Sequence, residues 1–210
     1  YTLPLFSLIR GRKFEAMSKA SFGDLRVEDL WTNFFCVSTD MTTADLFIHR
    51  EGPVWKCVRS SGSFPGILSP VVEGRSFLID GGVLNNLPGD IMRSLCGGVV
   101  IAVDVSAKKD FHPNLERIPS PWKVLWSRFA PLSEPIEVPT ILDILIRTTM
   151  LNSIHKAEEA IREADFYLRP PVDHFGLLEF SALEKIVDIA YRYAKEKIPE
   201  FDFASILEKR

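Results

Sequence analysis

The chain has 210 residues, a formal net charge of −3 at pH 7, and 46% apolar against 25% charged residues. That is the balance of a globular protein with core enough for one domain. No acidic or basic block is present, which excludes an electrostatic footprint for nucleic acid. No apolar run approaches the ~18 residues that cross a bilayer as a helix.

The three cysteines, Cys36, Cys57 and Cys96, show no CxxC spacing and read as reduced, small apolar fillers. The first residue is Tyr1 and the stretch from Leu3 to Ile9 is already apolar. No signal-peptide pattern is seen, and the expectation is a piece of a longer polypeptide.

Taken in chain order, "FFCVSTD" (34–40) is a continuous apolar run reaching Asp40. "DLFIHRE" (45–51) alternates more and fits an antiparallel or edge partner for it. Residues 53–61 fit a short helix before the Gly/Pro-rich "SGSFPGILSP". "FLID" (77–80) and "VVIAVDVS" (99–106) repeat the first run's grammar, reaching Asp80 and Asp104. Such runs read as buried parallel strands. Between them, Asn86 and Pro88 mark a helix start for 87–96.

Residues 107–140 hold six prolines and no clean period, the pattern of a long surface excursion. Met150, Ile154, Ala157, Ile161 and Ala164 then recur at helical spacing. "DFYLRPPV" (165–172) reads as a last short strand, closed by Pro170 and Pro171. Leu183, Ile186, Val187, Ala190, Tyr191 and Ala194 give an apolar face to a helix near 181–198. Strands alternating with helices imply an α/β layered fold with a largely parallel sheet.

In such sheets, chemistry gathers at the carboxyl ends of the strands. Asp80 stands there, followed by Gly81 and Gly82, which allow another group to approach closely. The bland alternative is a strand-to-helix turn in which the carboxylate caps backbone N–H groups. Asp40 and Asp104 share the placement without the double glycine, and for them capping is the expected role.

The stretch "DGGVLNNLP", preceded by "RSSGSFPGILSPV", resembles the patatin-like phospholipase family. "VEDLWTNFFCVSTDMTT" (27–43), "LIDGGVLNNLPGDIMRSL" (78–95) and "YLRPPVDHF" (167–175) resemble, in order, segments of its neuropathy-target-esterase branch. The likeness covers about residues 24–180, with Ser69-Pro70 standing where many relatives have a Pro-Pro pair. It implies an α/β three-layer sandwich with a mainly parallel central sheet. It also implies hydrolysis of carboxylic esters of phospholipids or lysophospholipids. Asp80 would be the base of a Ser-Asp dyad, and Gly81 and Gly82 would complete the motif. No metal or other cofactor is implied.

Residues 1–180 would be the latter portion of the domain and 181–210 a helical extension packed on it. The expected location is the cytoplasm, or a membrane surface on its cytoplasmic side.

A dyad of this kind requires no histidine. His49, His112, His155 and His174 share no motif with a nucleophile, and His155 and His174 read as surface residues. The serine should lie on a G-x-S-x-G strand-to-helix turn. "GRSFL" (74–78) ends in Leu and "GSFPG" (62–66) centres on Phe, so neither is such a turn. "IRGRK" (9–13) is only an echo of a glycine-rich oxyanion loop. The expectation is a nucleophile outside these residues.

Trp122, Trp126 and Phe129, beside Lys123 and Arg128, form a stripe suited either to core packing or to contact with a membrane surface or substrate. Two other readings remain open at this level. One is a non-catalytic lipid-binding protein or pseudoenzyme of the same fold. The other is a nucleotide-binding domain using Asp104, weakened by the lack of a G-x-G-x-x-G after any strand.

Overall fold

A computed structural model describes residues 11–106, 119–120, 141–176 and 179–201. The stripe Trp122, Trp126 and Phe129 and most of the proline-rich stretch lie outside these residues, as does His112.

Four strands form one sheet: β1 (Cys36–Asp40), β2 (Asp45–His49), β3 (Val71–Glu73) and β4 (Ser76–Asp80), in the order β2-β1-β4-β3. The tight β1–β2 connection leaves room only for antiparallel pairing, and Cys36 faces His49 in register. β3 and β4 form a second hairpin through Gly74 and Arg75. The central pair, β1 and β4, is also antiparallel, with Ser38 opposite Asp80.

Parallel pairing is found between β5 (Ile101–Val103) and β6 (Phe166–Leu168). The α/β class is therefore as expected, and the antiparallel share of the described strands exceeds the expectation. An apolar run encodes burial on both faces but not direction.

Helix α1 (Arg12–Phe22) was not anticipated, because its mean hydropathy is low and only Ser18 is fully buried. It lies on α2 (Val54–Ser61), with the Lys19 ammonium 4.2 Å from the Trp55 ring centre. α2 turns Val54 and Cys57 inward onto a small core with Val27, bordered by Phe22, Leu30, Cys36 and Val58. A Lys56–Glu73 ion pair at 3.1 Å ties α2 to β3.

Burial from water and the neighbouring Cys57 push the Cys36 thiol up to about 12, so both cysteines stay protonated fillers. Cys96 departs from that role. It is exposed, and its Sγ accepts the Gly98 N–H at 3.4 Å.

α3 (Gly89–Leu95) follows Pro88 as the sequence predicts. It packs on α4 (Ile141–Glu163), where a side chain on Gly89 would stand 3.3 Å from the Ala160 Cβ. That close approach selects small groups. Among the described residues, Ser153 and Ala160 of α4 are buried, and Ala157, Ile161 and Ala164 of the expected apolar face are half-buried beside them; nothing is described of the Met150 and Ile154 side chains.

Arg93 of α3 reaches Asp165 at 2.7 Å and the Glu163 carbonyl at 2.6 Å, which sets β6 beside β5. α5 (Leu183–Lys197) buries no residue fully, and Leu183, Val187 and Tyr191 are exposed. Among the described residues, no helix is long and apolar enough to cross a membrane.

Candidate active site

The last residue of β4 is Asp80, and the chain turns directly into a 3-10 turn, Gly81–Val83. The Asp80 amide donates to the Ser63 carbonyl at 3.0 Å. Its Oδ1 accepts the Gly82 N–H at 2.7 Å. No hydrogen bond reaches Oδ2 among the described residues. Burial raises the affinity of this carboxyl for a proton, and the single Gly82 bond offsets that only in part. The group is thus a desolvated carboxylate with one oxygen anchored and one free.

Each glycine has its own reason. A Cβ on Gly81 would collide with the Val37 carbonyl of β1, so glycine lets the turn pass against that strand. A Cβ on Gly82 would stand 2.9 Å from both Asp80 Oδ1 and Asn86 Oδ1. It would therefore fill the space beside the carboxylate itself. The first glycine lets the turn pass strand β1, and the second keeps the space between Asp80 and Asn86 clear.

The loop that carries Ser63 is held from α2. Arg59, 4% exposed, donates to Ser63 Oγ and, at 2.9 Å, to the Ser69 carbonyl. Ser63 Oγ returns a bond to the Arg59 carbonyl at 2.7 Å. Ser69 adds its hydroxyl as an acceptor for Arg59 at 3.3 Å. Arg59 thus acts on Asp80 through the loop rather than through charge. It is not among the causes of the Asp80 shift.

The other two strand-end aspartates are fully engaged. Asp40 accepts the Thr42 N–H at 2.8 Å inside the β1–β2 turn, and Ser76 leads the hydrogen bonds that lower its pKa. Asp104, buried, receives Tyr167 Oη at 2.8 Å and the Ser106 N–H at 2.9 Å, with Arg169 at 3.5 Å. Burial opposes its ionisation, yet these donors together hold its carboxyl below the usual range. Both are the structural caps that the sequence pattern suggests.

One pairing escaped sequence reasoning. Ser38 Oγ and His49 Nε2 lie 2.8 Å apart, with both residues buried. The signal available was the hairpin register, which puts residues 38 and 49 on one sheet face as diagonal neighbours. This is not a catalytic pair. Ser38 is 0% exposed in mid-strand, and desolvation keeps His49 neutral, with Glu73 and Lys56 rather than Asp80 as its charged neighbours. His155 and His174 are exposed, as expected.

The sequence profile described as "Patatin-like phospholipase" matches residues 2–93, which include β1 to β4 and the Asp80 turn. "Neuropathy target esterase sws" of Drosophila melanogaster is 35% identical over 92% of this chain and 14% of its own length. "Patatin-like phospholipase domain-containing protein 6" of Homo sapiens is 32% identical over 99% of the chain and 15% of its own. "Lysophospholipase NTE1" of Candida albicans is 36% identical over 93% and 14%. The chain therefore spans only about a seventh of the length of these relatives.

Proposed function

This chain belongs to the patatin-like phospholipase family, and from that premise we propose that Asp80 is the general base of a serine esterase acting on phospholipid or lysophospholipid esters. The observation that carries the reading is the state of its carboxylate. It is desolvated, anchored through Oδ1 and without a hydrogen bond at Oδ2 among the described residues, beside a glycine whose missing Cβ leaves room for a reacting group. No G-x-S-x-G occurs in the 210 residues, and the proposal places the serine elsewhere in the parent polypeptide.

In the proposed reaction the serine Oγ attacks the acyl carbon while its proton passes to Asp80 Oδ2. The alcohol of the lipid leaves with that proton. Water then hydrolyses the acyl-serine ester, giving a proton to the same carboxylate, which returns it to Oγ. A raised Asp80 pKa suits this work, because a carboxylate of greater proton affinity is a better base.

Residues 1–180 are assigned to the patatin-like domain and 181–210 to its extension. Two observations support the division: α5 buries no side chain fully, and the Phe201 ring packs on Phe166 of β6. The stripe Trp122, Trp126 and Phe129 is proposed to meet the lipid surface from the cytoplasmic side. Liposome co-sedimentation of the Trp122→Ala/Trp126→Ala variant should fall below wild type, and equal binding would return the stripe to the core.

The dyad itself is tested by a fluorophosphonate probe. The full-length protein should be labelled at a serine. The 210-residue chain should be neither labelled nor active on a short-chain nitrophenyl ester. Hydrolysis by the isolated chain, abolished in Asp80→Asn, would contradict the assignment of the serine to another segment. A full-length protein that resists labelling would be a pseudoenzyme.

A further inference from the structure

The two asparagines of "DGGVLNNLP" have different surroundings. Asn85 is 1% exposed, and its Nδ2 donates to Asp90 Oδ1 at 2.9 Å, which locks it into the turn before α3. Asn86 is exposed, and only its backbone is tied, its N–H donating to Ser153 Oγ of α4 at 3.1 Å. Its carboxamide has no hydrogen-bond partner among the described residues, yet it is not remote from the chemistry. Asn86 Oδ1 and Asp80 Oδ1 both stand 2.9 Å from the point a Gly82 Cβ would occupy, so they are no further apart than twice that distance. One water molecule making two hydrogen bonds of about 2.8 Å spans gaps up to that limit.

We propose that Asn86 is a water-positioning residue, its carboxamide oxygen and the Asp80 carboxylate together holding the water that hydrolyses the acyl-enzyme. The proposal rests on the reading of Asp80 as the base. A water molecule has two hydrogens and needs two acceptors to fix its lone pair on a target. The Asp80 carboxylate takes one hydrogen as a proton, and the Asn86 oxygen holds the other. The water oxygen bonds to the acyl carbon and the bond from that carbon to the serine Oγ breaks. The proton on Asp80 then passes to Oγ, leaving a carboxylic acid and free serine. Gly82 is the condition for this arrangement, because any side chain there would occupy the space between the two acceptors.

The test uses the full-length protein and a chromogenic ester, with acylation read from the burst and deacylation from the steady state. Asn86→Ala should slow deacylation about 10²-fold, the order expected for loss of reactant positioning. Acylation and fluorophosphonate labelling should stay within a few-fold of wild type. Asn86→Asp should move the acid limb of the pH–rate profile upward, because a second carboxylate at this distance disfavours ionisation of Asp80. A residue that merely supports the turn would produce neither the split between phases nor the shift of the limb. Equal slowing of both phases, or no slowing of either, overturns the proposal alone. A wild-type protein with neither burst nor labelling overturns the dyad reading and this proposal with it.

Discussion

The ends of β4 and β5 carry the same residue in the same place and treat it in opposite ways. Asp104 receives a tyrosine hydroxyl, a serine backbone N–H and hydroxyl, and a nearby guanidinium, and its proton affinity falls below the ordinary range. Among the described residues, Asp80 receives one backbone N–H and no hydrogen bond at its other oxygen, and its proton affinity rises. Burial acts on both carboxylates, so the difference lies in the donors supplied. A carboxylate surrounded by donors stabilises the fold and has no oxygen left to take a proton. A desolvated carboxylate with too few donors costs stability and is ready to act as a base.

The largest effect expected from breaking this contrast is on rate. In the full-length protein, Asp80→Asn should reduce ester hydrolysis about 10³-fold, since the amide still accepts the Gly82 N–H but cannot take a proton. Asp104→Asn should leave turnover within a few-fold and lower unfolding free energy by about 2 kcal/mol, the scale of weakened bonds to a charged group. Steady-state assays with denaturant unfolding on the same samples compare the two.

The glycines give a smaller and divided effect. Gly81→Ala should cost about 2 kcal/mol of stability, because the new Cβ meets the Val37 carbonyl of a packed strand. Gly82→Ala should cost less stability but about 10²-fold in rate, because its Cβ displaces the Asp80 carboxylate or the Asn86 side chain. Equal stability losses without a rate difference would erase the distinction between fold and access.

The smallest effect is thermodynamic, and its sign separates the two aspartates. A raised folded pKa means that the folded state binds the Asp80 proton more tightly than the unfolded chain does. Asp80 therefore lowers stability as pH rises from about 3.8 through its folded pKa. Asp104 has a lowered folded pKa. Its contribution is present above about 3.8 and is lost as pH falls through the folded value. Asp80→Asn should thus melt a few degrees higher than wild type at pH 7 and no higher at pH 3. Asp104→Asn should melt lower at pH 7, with the gap closing in acid. Thermal melts across this range check both signs.

Much of this site was legible because it is local. The run into Asp80, the two glycines and the helix start at Pro88 lie within one short stretch, and the structure keeps them in the expected relation. The antiparallel β1–β4 pairing, the Ser38–His49 contact and the grip of Arg59 on the Ser63 loop depend on register between distant segments. Apolar runs do not encode that register. The burial of Ser153 and Ala160 beside the expected apolar face of α4 has a related reason. Ser153 and Ala160 are selected by the close approach of the Asn86 and Gly89 backbones, which no single-helix pattern carries.

The measurement closest to the central claim is the pH dependence of kcat/KM for the full-length protein with a soluble ester. If Asp80 is the base, the acid limb should fall above the ordinary aspartate value of 3.8. The same variant series should show the limb climbing further in Asn86→Asp and staying in place in Asp104→Asn. A limb at or below 3.8, or full activity in Asp80→Asn at neutral pH, would contradict the account.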